Sequence, residues 1–188
     1  MMHAPFVLRM LVLVLLIIAL ARPQSSLSRK DMITEGIDIV IALDISGSML
    51  AEDFRPNRLE AAKRTAVSFI EMRSNDRMGM TVFSGESFTL CPLTTDHALL
   101  KELAMSVHTG MVEDGTAIGD GLGTAINRLR ESQAISRVIV LLTDGINNAG
   151  VIDPLTAAEL AESLGIRVYT IGVGSSGPVP YPFQTPFG

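Results

Sequence analysis

Residues 37–49 read IDIVIALDISGSM, and the first half of this stretch decides the class of fold. Ile37 to Leu43 is rich in Ile and Val and apolar on both faces except at Asp38. That is the pattern of a strand covered by helices on both sides, not of a strand with one solvated face, so it should lie at the centre of a sheet. The second half raises a separate question, because Asp44, Ser46 and Ser48 leave the strand with polar side chains at i, i+2 and i+4. Such an alternation lets one strand exit aim several oxygens at a single point.

Downstream, strand-like and helix-like segments alternate. Asn57 with Glu60 three residues later marks a helix start, followed by Leu59, Ala62, Ala66 and Ile70 at helical spacing. Met78 to Ser84 reads as a second strand, and Gly85-Glu86 turns it into a third at Ser87 to Cys91; so tight a connection implies an antiparallel strand at the sheet edge. Leu99, Leu100, Leu103 and Val107 mark the next helix, and Ile118, Leu122, Ala125, Ile126 and Leu129 another. Val138 to Thr143 is a second wholly apolar strand, Asp153-Pro154 opens a helix that Gly165 ends, and Arg167 to Ile171 supplies the last strand. The alternation predicts an α/β fold, a doubly wound, mostly parallel sheet with helices on both faces.

In such sheets ligands bind beyond the carboxyl ends of the strands, where the strand order reverses. If the order is 3-2-1-4-5, the first and fourth strands flank that reversal, and Asp44, Ser46 and Ser48 meet Asp144, which follows the fourth strand in LLTDG. Thr116, in EDGTAIGDG, precedes a helix. Singly, Asp144-Gly145 is an ordinary turn dipeptide and Thr116 an N-cap. Together, two carboxylates and three hydroxyls form an oxygen-only set of low charge that suits Mg²⁺, with Mn²⁺ or Ca²⁺ as alternatives.

The N-terminus carries something else. Met10 to Ala21, MLVLVLLIIALA, is apolar throughout, and Phe6 to Leu8 extend it across Arg9. Two readings fit: a signal-peptide core ending at Ala19-Leu20-Ala21, or a membrane anchor at residues 4–21 whose Arg9 reaches back to the headgroups. The anchor is favoured because Arg22-Pro23 makes an awkward cleavage junction and a natural membrane exit. Residues 22–30, including the polar QSSLSRK, read as a linker, and 31–188 as the domain. Positive charge on both sides of the apolar run leaves its orientation open.

Composition and context exclude several activities. A net charge of −5 offers nucleic acid no basic face. The single cysteine, Cys91, permits no intramolecular disulfide and reads as a small buried hydrophobe. Gly172-x-Gly174-x-x-Gly177 follows a strand but runs into PVPYP where a dinucleotide site needs a helix. Gly119, Gly121 and Gly123 fall inside a helix pattern, where close packing is the simpler account. No GxxxxGK[ST] occurs, and His3, His97 and His108 suggest no catalytic triad. A metal-dependent phosphotransferase with Asp44 as nucleophile is the alternative activity, although Ser46 stands where a second Asp is usual.

The motifs DISGSM, the Thr of DGTAIGDG and the Asp of TDG resemble the metal-ion-dependent adhesion site of von Willebrand factor A (vWA) domains. The resemblance implies an ion held, directly or through water, by Asp44, Ser46, Ser48, Thr116 and Asp144. IALARPQ, MLAEDFRPNRLEAAK, GESFTLCPLTTDHALL, EDGTAIGDGLGTAINRL, LLTDGINNAG and YTIGVGSSG are similar to the BatA-type (Bacteroides aerotolerance) membrane proteins, over roughly residues 17–188. That likeness implies a non-enzymatic, Mg²⁺-dependent protein-binding domain, with a partner that could offer an acidic side chain to the metal. It implies a bacterial inner membrane setting with the domain on the periplasmic side, a possible complex with other envelope proteins, and a role in envelope assembly or oxidative-stress tolerance. Members of that family continue with a further strand, helix and membrane segment, so the domain is expected to be incomplete at its C-terminus and the N-terminus cropped.

Overall fold

β1 (Asp38–Asp44) is buried at every residue and lies in the middle of a five-stranded sheet. The computed structural model describes residues 4–20, 36–175, 177 and 179–182; the expected linker at 22–30 lies outside them. The chain divides into two units, Met1–Ile33 and Thr34–Gly188.

In the larger unit, β2 (Arg77–Phe83), β3 (Ser87–Thr94), β4 (Arg137–Thr143) and β5 (Ile166–Gly172) join β1 in the order β3-β2-β1-β4-β5. β1 pairs in parallel with β2 and β4, and β4 with β5, whereas β3 is antiparallel to β2. This is the expected order, with the tight Gly85-Glu86 connection making the one antiparallel edge. β3 runs three residues past the expected end at Cys91, because Thr94 still pairs with Met78 after a register shift.

Helices cover both faces, and β1 shows why. Alternate side chains of a strand point to opposite sides: Ile39, Ile41 and Leu43 enter one core with Leu59, Ala62, Ala66 and Ile70 of α2 (Arg58–Glu71) and Leu100 and Ala104 of α3 (His97–Ser106). Val40 and Ala42 enter the other with Leu122, Ala125 and Ile126 of α4 (Ile118–Leu129) and Ala157 and Ala161 of α5 (Pro154–Ser163). The caps are those the sequence indicates: Asn57 accepts from Glu60 N, Asp153 from Leu155 N and Thr156 N, and Gly165 follows α5 with φ +66°. Cys91 is buried and free.

The glycines of α4 mark close approach. A Cβ at Gly119 would stand 1.8 Å from the Ile152 carbonyl oxygen, and one at Gly121 2.6 Å from Cδ1 of Phe83.

In the smaller unit, α1 (Ala4–Leu20) is a 17-residue helix with Phe6, Leu11 and Leu16 among its exposed side chains. At about 1.5 Å per residue it rises about 26 Å, short of a hydrocarbon core of about 30 Å. Among the described residues no helix is long and apolar enough to cross a membrane. Of the expected segment at 4–21, residues 4–20 are thus a helix that is not shown to be a span.

Candidate metal centre

Parallel pairing brings the carboxyl ends of β1 and β4 side by side, Leu43 opposite Leu142. Asp44 ends the first strand and Thr143 the second, and the Thr143 hydroxyl donates to Asp44 Oδ2 at 2.6 Å. Asp44 Oδ1 accepts from Ser46 N at 2.9 Å, which folds the chain into the short 3₁₀ turn Gly47–Leu50. That turn carries the two serines round to the β4 exit. Ser46 Oγ and Ser48 Oγ are 2.9 Å apart, and Ser48 Oγ donates to Asp144 Oδ1 at 2.7 Å. Four of the five candidate residues are therefore linked by hydrogen bonds, Asp44 to Ser46 through the Ser46 backbone N and Ser46, Ser48 and Asp144 through side-chain oxygens.

Thr116 joins from a third loop. Its N donates to Asn148 Oδ1 at 2.8 Å, and its carbonyl accepts from Asn148 N and Ala149 N. Asn147 Oδ1 takes Ile118 N at 2.8 Å, so the NN of LLTDGINNAG fastens the start of α4 to the β4 exit. The Thr116 Oγ1 lies 3.5 Å from where a Gly145 Cβ would be, one residue from Asp144. Thr116 is not the N-cap of α4; Ala117 occupies that position.

Several contributors were not recognised from the sequence. Asp114 Oδ1 accepts from Gly47 N at 2.8 Å and from Gly115 N at 3.0 Å, tying the Thr116 loop to the serine loop. Arg58, the first residue of α2, gives Nε and Nη2 to Asp53 at 2.7 and 2.9 Å and Nη1 to Asp144 Oδ2 at 2.5 Å. Asp53 also accepts from Ser175 N and Oγ. The Tyr181 hydroxyl donates to Gly47 O, and Glu52 N to Pro180 O, so the segment after β5 lies against the serine loop. Apart from Asp53 with Arg58 and Asp114 with Gly115, the partners lie far apart in sequence, 86 residues for Arg58 and Asp144, which leaves no local pattern to read.

The electrostatics are uneven. Asp44 is fully buried, and desolvation pushes its carboxyl above the ordinary aspartate value against the pull of its hydrogen bonds to Ser46 and Thr143. The Arg58 hydrogen bonds hold Asp53 far below the usual range, and Asp53 in turn raises the Arg58 guanidinium. The carboxylates of Asp44, Asp53, Asp114 and Asp144 outnumber the single guanidinium of Arg58, so the rim is anionic and attracts a cation, and the donors are all oxygen, as a hard ion requires. Among the described residues no three His, Cys, Asp or Glu side chains gather as a metal cluster, so any ion here depends on the hydroxyls of Ser46, Ser48 and Thr116.

A doubly wound sheet with this rim at its switch point is the architecture of a von Willebrand factor A domain. Residues 38–179 match the von Willebrand factor type A domain, and the chain belongs to that family. It is similar to an aerotolerance-related membrane protein from Bacteroides fragilis, with 39% identity and a TM-score of 0.74 over 79% of this chain and 73% of that one. It is likewise similar to BatB from Bacteroides thetaiotaomicron, with 35% identity and a TM-score of 0.69 over 79% and 76%. Proximal thread matrix protein 1 from the mussel byssus, described with a zinc-occupied MIDAS motif, gives 26% identity and a TM-score of 0.66 over 74% and 36%. A protein of Borreliella burgdorferi is 39% identical over 86% of this chain and 48% of its own length; the chain spans about half the length of the sequence relatives it matches. Domains of this family mediate protein–protein interactions and commonly bind a divalent metal.

Proposed function

We propose that Asp44, Ser46, Ser48, Thr116 and Asp144 hold a divalent ion, Mg²⁺ in the cell, and that the domain uses it to bind a protein partner. The observation that carries this reading is the hydrogen-bonded cluster of Asp44, Ser46, Ser48 and Asp144 at the exits of β1 and β4, joined through Ser46 N and the side-chain oxygens. Asp44 and Asp144 supply charge, and Ser46, Ser48 and Thr116 supply neutral oxygens. Bound there, the ion provides an electrophilic position that an acidic side chain of a partner can fill. The zinc described in the mussel protein supports a divalent ion on this type of rim, and Mn²⁺ or Ca²⁺ would substitute for Mg²⁺ by the same chemistry.

The similar proteins described as membrane proteins and the apolar helix α1 support a domain tethered at a bacterial inner membrane, facing the periplasm, within an envelope complex. A role in envelope assembly or tolerance of oxidative stress follows from the same likeness. The phosphotransferase alternative is disfavoured by the family itself, whose domains mediate protein–protein interactions, and by Ser46, which stands where a second Asp is usual.

The test is a pull-down from envelope extract with the chain in Mg²⁺ and in EDTA. A partner retained only in Mg²⁺, and lost with Asp144→Ala, is the expected result. A partner retained equally in EDTA contradicts the proposal.

A further inference from the structure

We propose that Arg58 is a built-in counter-cation of the metal site, one that neutralises Asp144 when no ion is present and sets how tightly an ion is held. This rests on the reading of Asp144 as a metal-site carboxylate and goes beyond it by assigning the site's affinity to a residue that is not a ligand.

The geometry gives Arg58 two carboxylates to serve. Its fork, Nε and Nη2, is taken by Asp53, and the remaining Nη1 reaches Asp144 Oδ2 at 2.5 Å. Asp144 is thereby held at both oxygens, Oδ1 by Ser48 and Oδ2 by Arg58. The side chains of Arg58, Asp53 and Asp144 are 13%, 5% and 0% exposed, so water screens their charges little. Both ends of the arrangement are anchored. Arg58 opens α2 with its N bonded to Ala51 O, and Asp53 is gripped by Ser175 through N and Oγ.

A guanidinium keeps its charge across the working pH range, so a cation arriving beside Asp144 always meets a fixed positive charge. Asp53 determines how much of that charge Asp144 feels, because it takes two of the three hydrogen bonds. The two residues therefore act on ion affinity with opposite signs. Neutralising Arg58 removes a repelling charge and leaves Asp53 and Asp144 as neighbouring half-buried carboxylates whose charge a cation would offset. Neutralising Asp53 leaves the whole positive charge of Arg58 facing Asp144. A merely structural pair would behave otherwise, since losing either partner would loosen the rim and weaken the ion.

The experiment is calorimetric titration of MgCl₂, and separately MnCl₂, into the full chain in detergent micelles, as wild type, Arg58→Gln, Arg58→Lys and Asp53→Asn, with melting curves in EDTA and in Mg²⁺. We expect Arg58→Gln to bind the ion about tenfold more tightly or better, with a lower melting point in EDTA and a larger rise on adding Mg²⁺. Arg58→Lys, which keeps the charge, should stay near wild type, and Asp53→Asn should bind more weakly. If wild type binds the ion while Arg58→Gln binds it equally or more weakly, the role of Arg58 is overturned and the metal centre stands. If Arg58→Gln does not fold, the double variant Arg58→Gln/Asp53→Asn decides: it should bind the ion more tightly than Asp53→Asn alone, and equal or weaker binding overturns the proposal. Absence of binding in wild type and in every variant removes the metal centre, and this proposal with it.

Discussion

Gly119→Ala is the substitution for which intrinsic propensity and tertiary geometry point in opposite directions. Position 119 is inside α4, where Ala is favoured over Gly by about 1 kcal/mol in helix propensity. Its Cβ, however, would stand 1.8 Å from the Ile152 carbonyl oxygen, against a close carbon–oxygen contact of about 3.3 Å. Helix and loop would have to part by about 1.5 Å. The neighbouring Asp120 carboxylate accepts from Val151 N at 3.0 Å and Ile152 N at 2.9 Å, and that separation takes both bonds beyond range. Overpacking costs about 1–3 kcal/mol and a hydrogen bond to a charged acceptor about 1.5 kcal/mol or more. Net of propensity, the loss should be about 3–5 kcal/mol, or about 6–20 °C in melting temperature for a domain of this size. Gly123→Ala is the control, since its Cβ would meet only the flexible end of Ile152, Cδ1 at 3.0 Å, and it should be neutral or slightly stabilising. Urea melts followed by circular dichroism measure both. A neutral or stabilising Gly119→Ala would refute the argument that the glycine exists to admit the Ile152 backbone.

Thr143→Val removes the hydroxyl that donates to the buried Asp44; it should destabilise the domain by about 1–3 kcal/mol and weaken Mg²⁺ binding, read by melting curves and titration. Asp53 supplies a pH dependence: its folded pKa is depressed by Arg58, so its contribution to stability is present above the unfolded value of about 3.9 and is lost as the pH falls through that value toward the folded one. Wild type should lose stability on acidification below about pH 4, and Asp53→Asn should be less stable at neutral pH with a shallower acid dependence, as measured by denaturant midpoints across pH.

The centre of the sheet was legible because β1 and β4 declare their burial, although β5 is largely exposed. An Ile/Val run that is apolar on both faces has only one home in an α/β fold, and Asn57, Asp153 and Gly165 mark helix ends through local chemistry that needs no tertiary partner. The convergence of Asp44, Ser46, Ser48 and Asp144 followed from strand order, as parallel neighbours must exit on the same side. Arg58, Asp53, Asp114 and the Asn147-Asn148 pair were not legible. Apart from the Asp53–Arg58 pair itself, their partners lie on other loops, and a surface-like charge or a turn-forming Asn has the same appearance in sequence whether it meets solvent or the rim. Thr116 shows the limit from the other side: its place before a helix suggested a cap, whereas Asn148 binds its backbone and turns it toward the β4 exit.

The central claim is that these five side chains hold a divalent ion, and the most direct measurement is calorimetric titration of Mg²⁺ into wild type, Asp44→Ala and Asp144→Ala, each shown to be folded by circular dichroism. Wild type should bind one ion per chain and melt higher with Mg²⁺ than with EDTA, by about 2.7 kcal/mol of added stability at a hundredfold excess over Kd. Both variants should lose the binding heat and the shift. Equal Mg²⁺ affinity in wild type and Asp44→Ala would contradict the assignment.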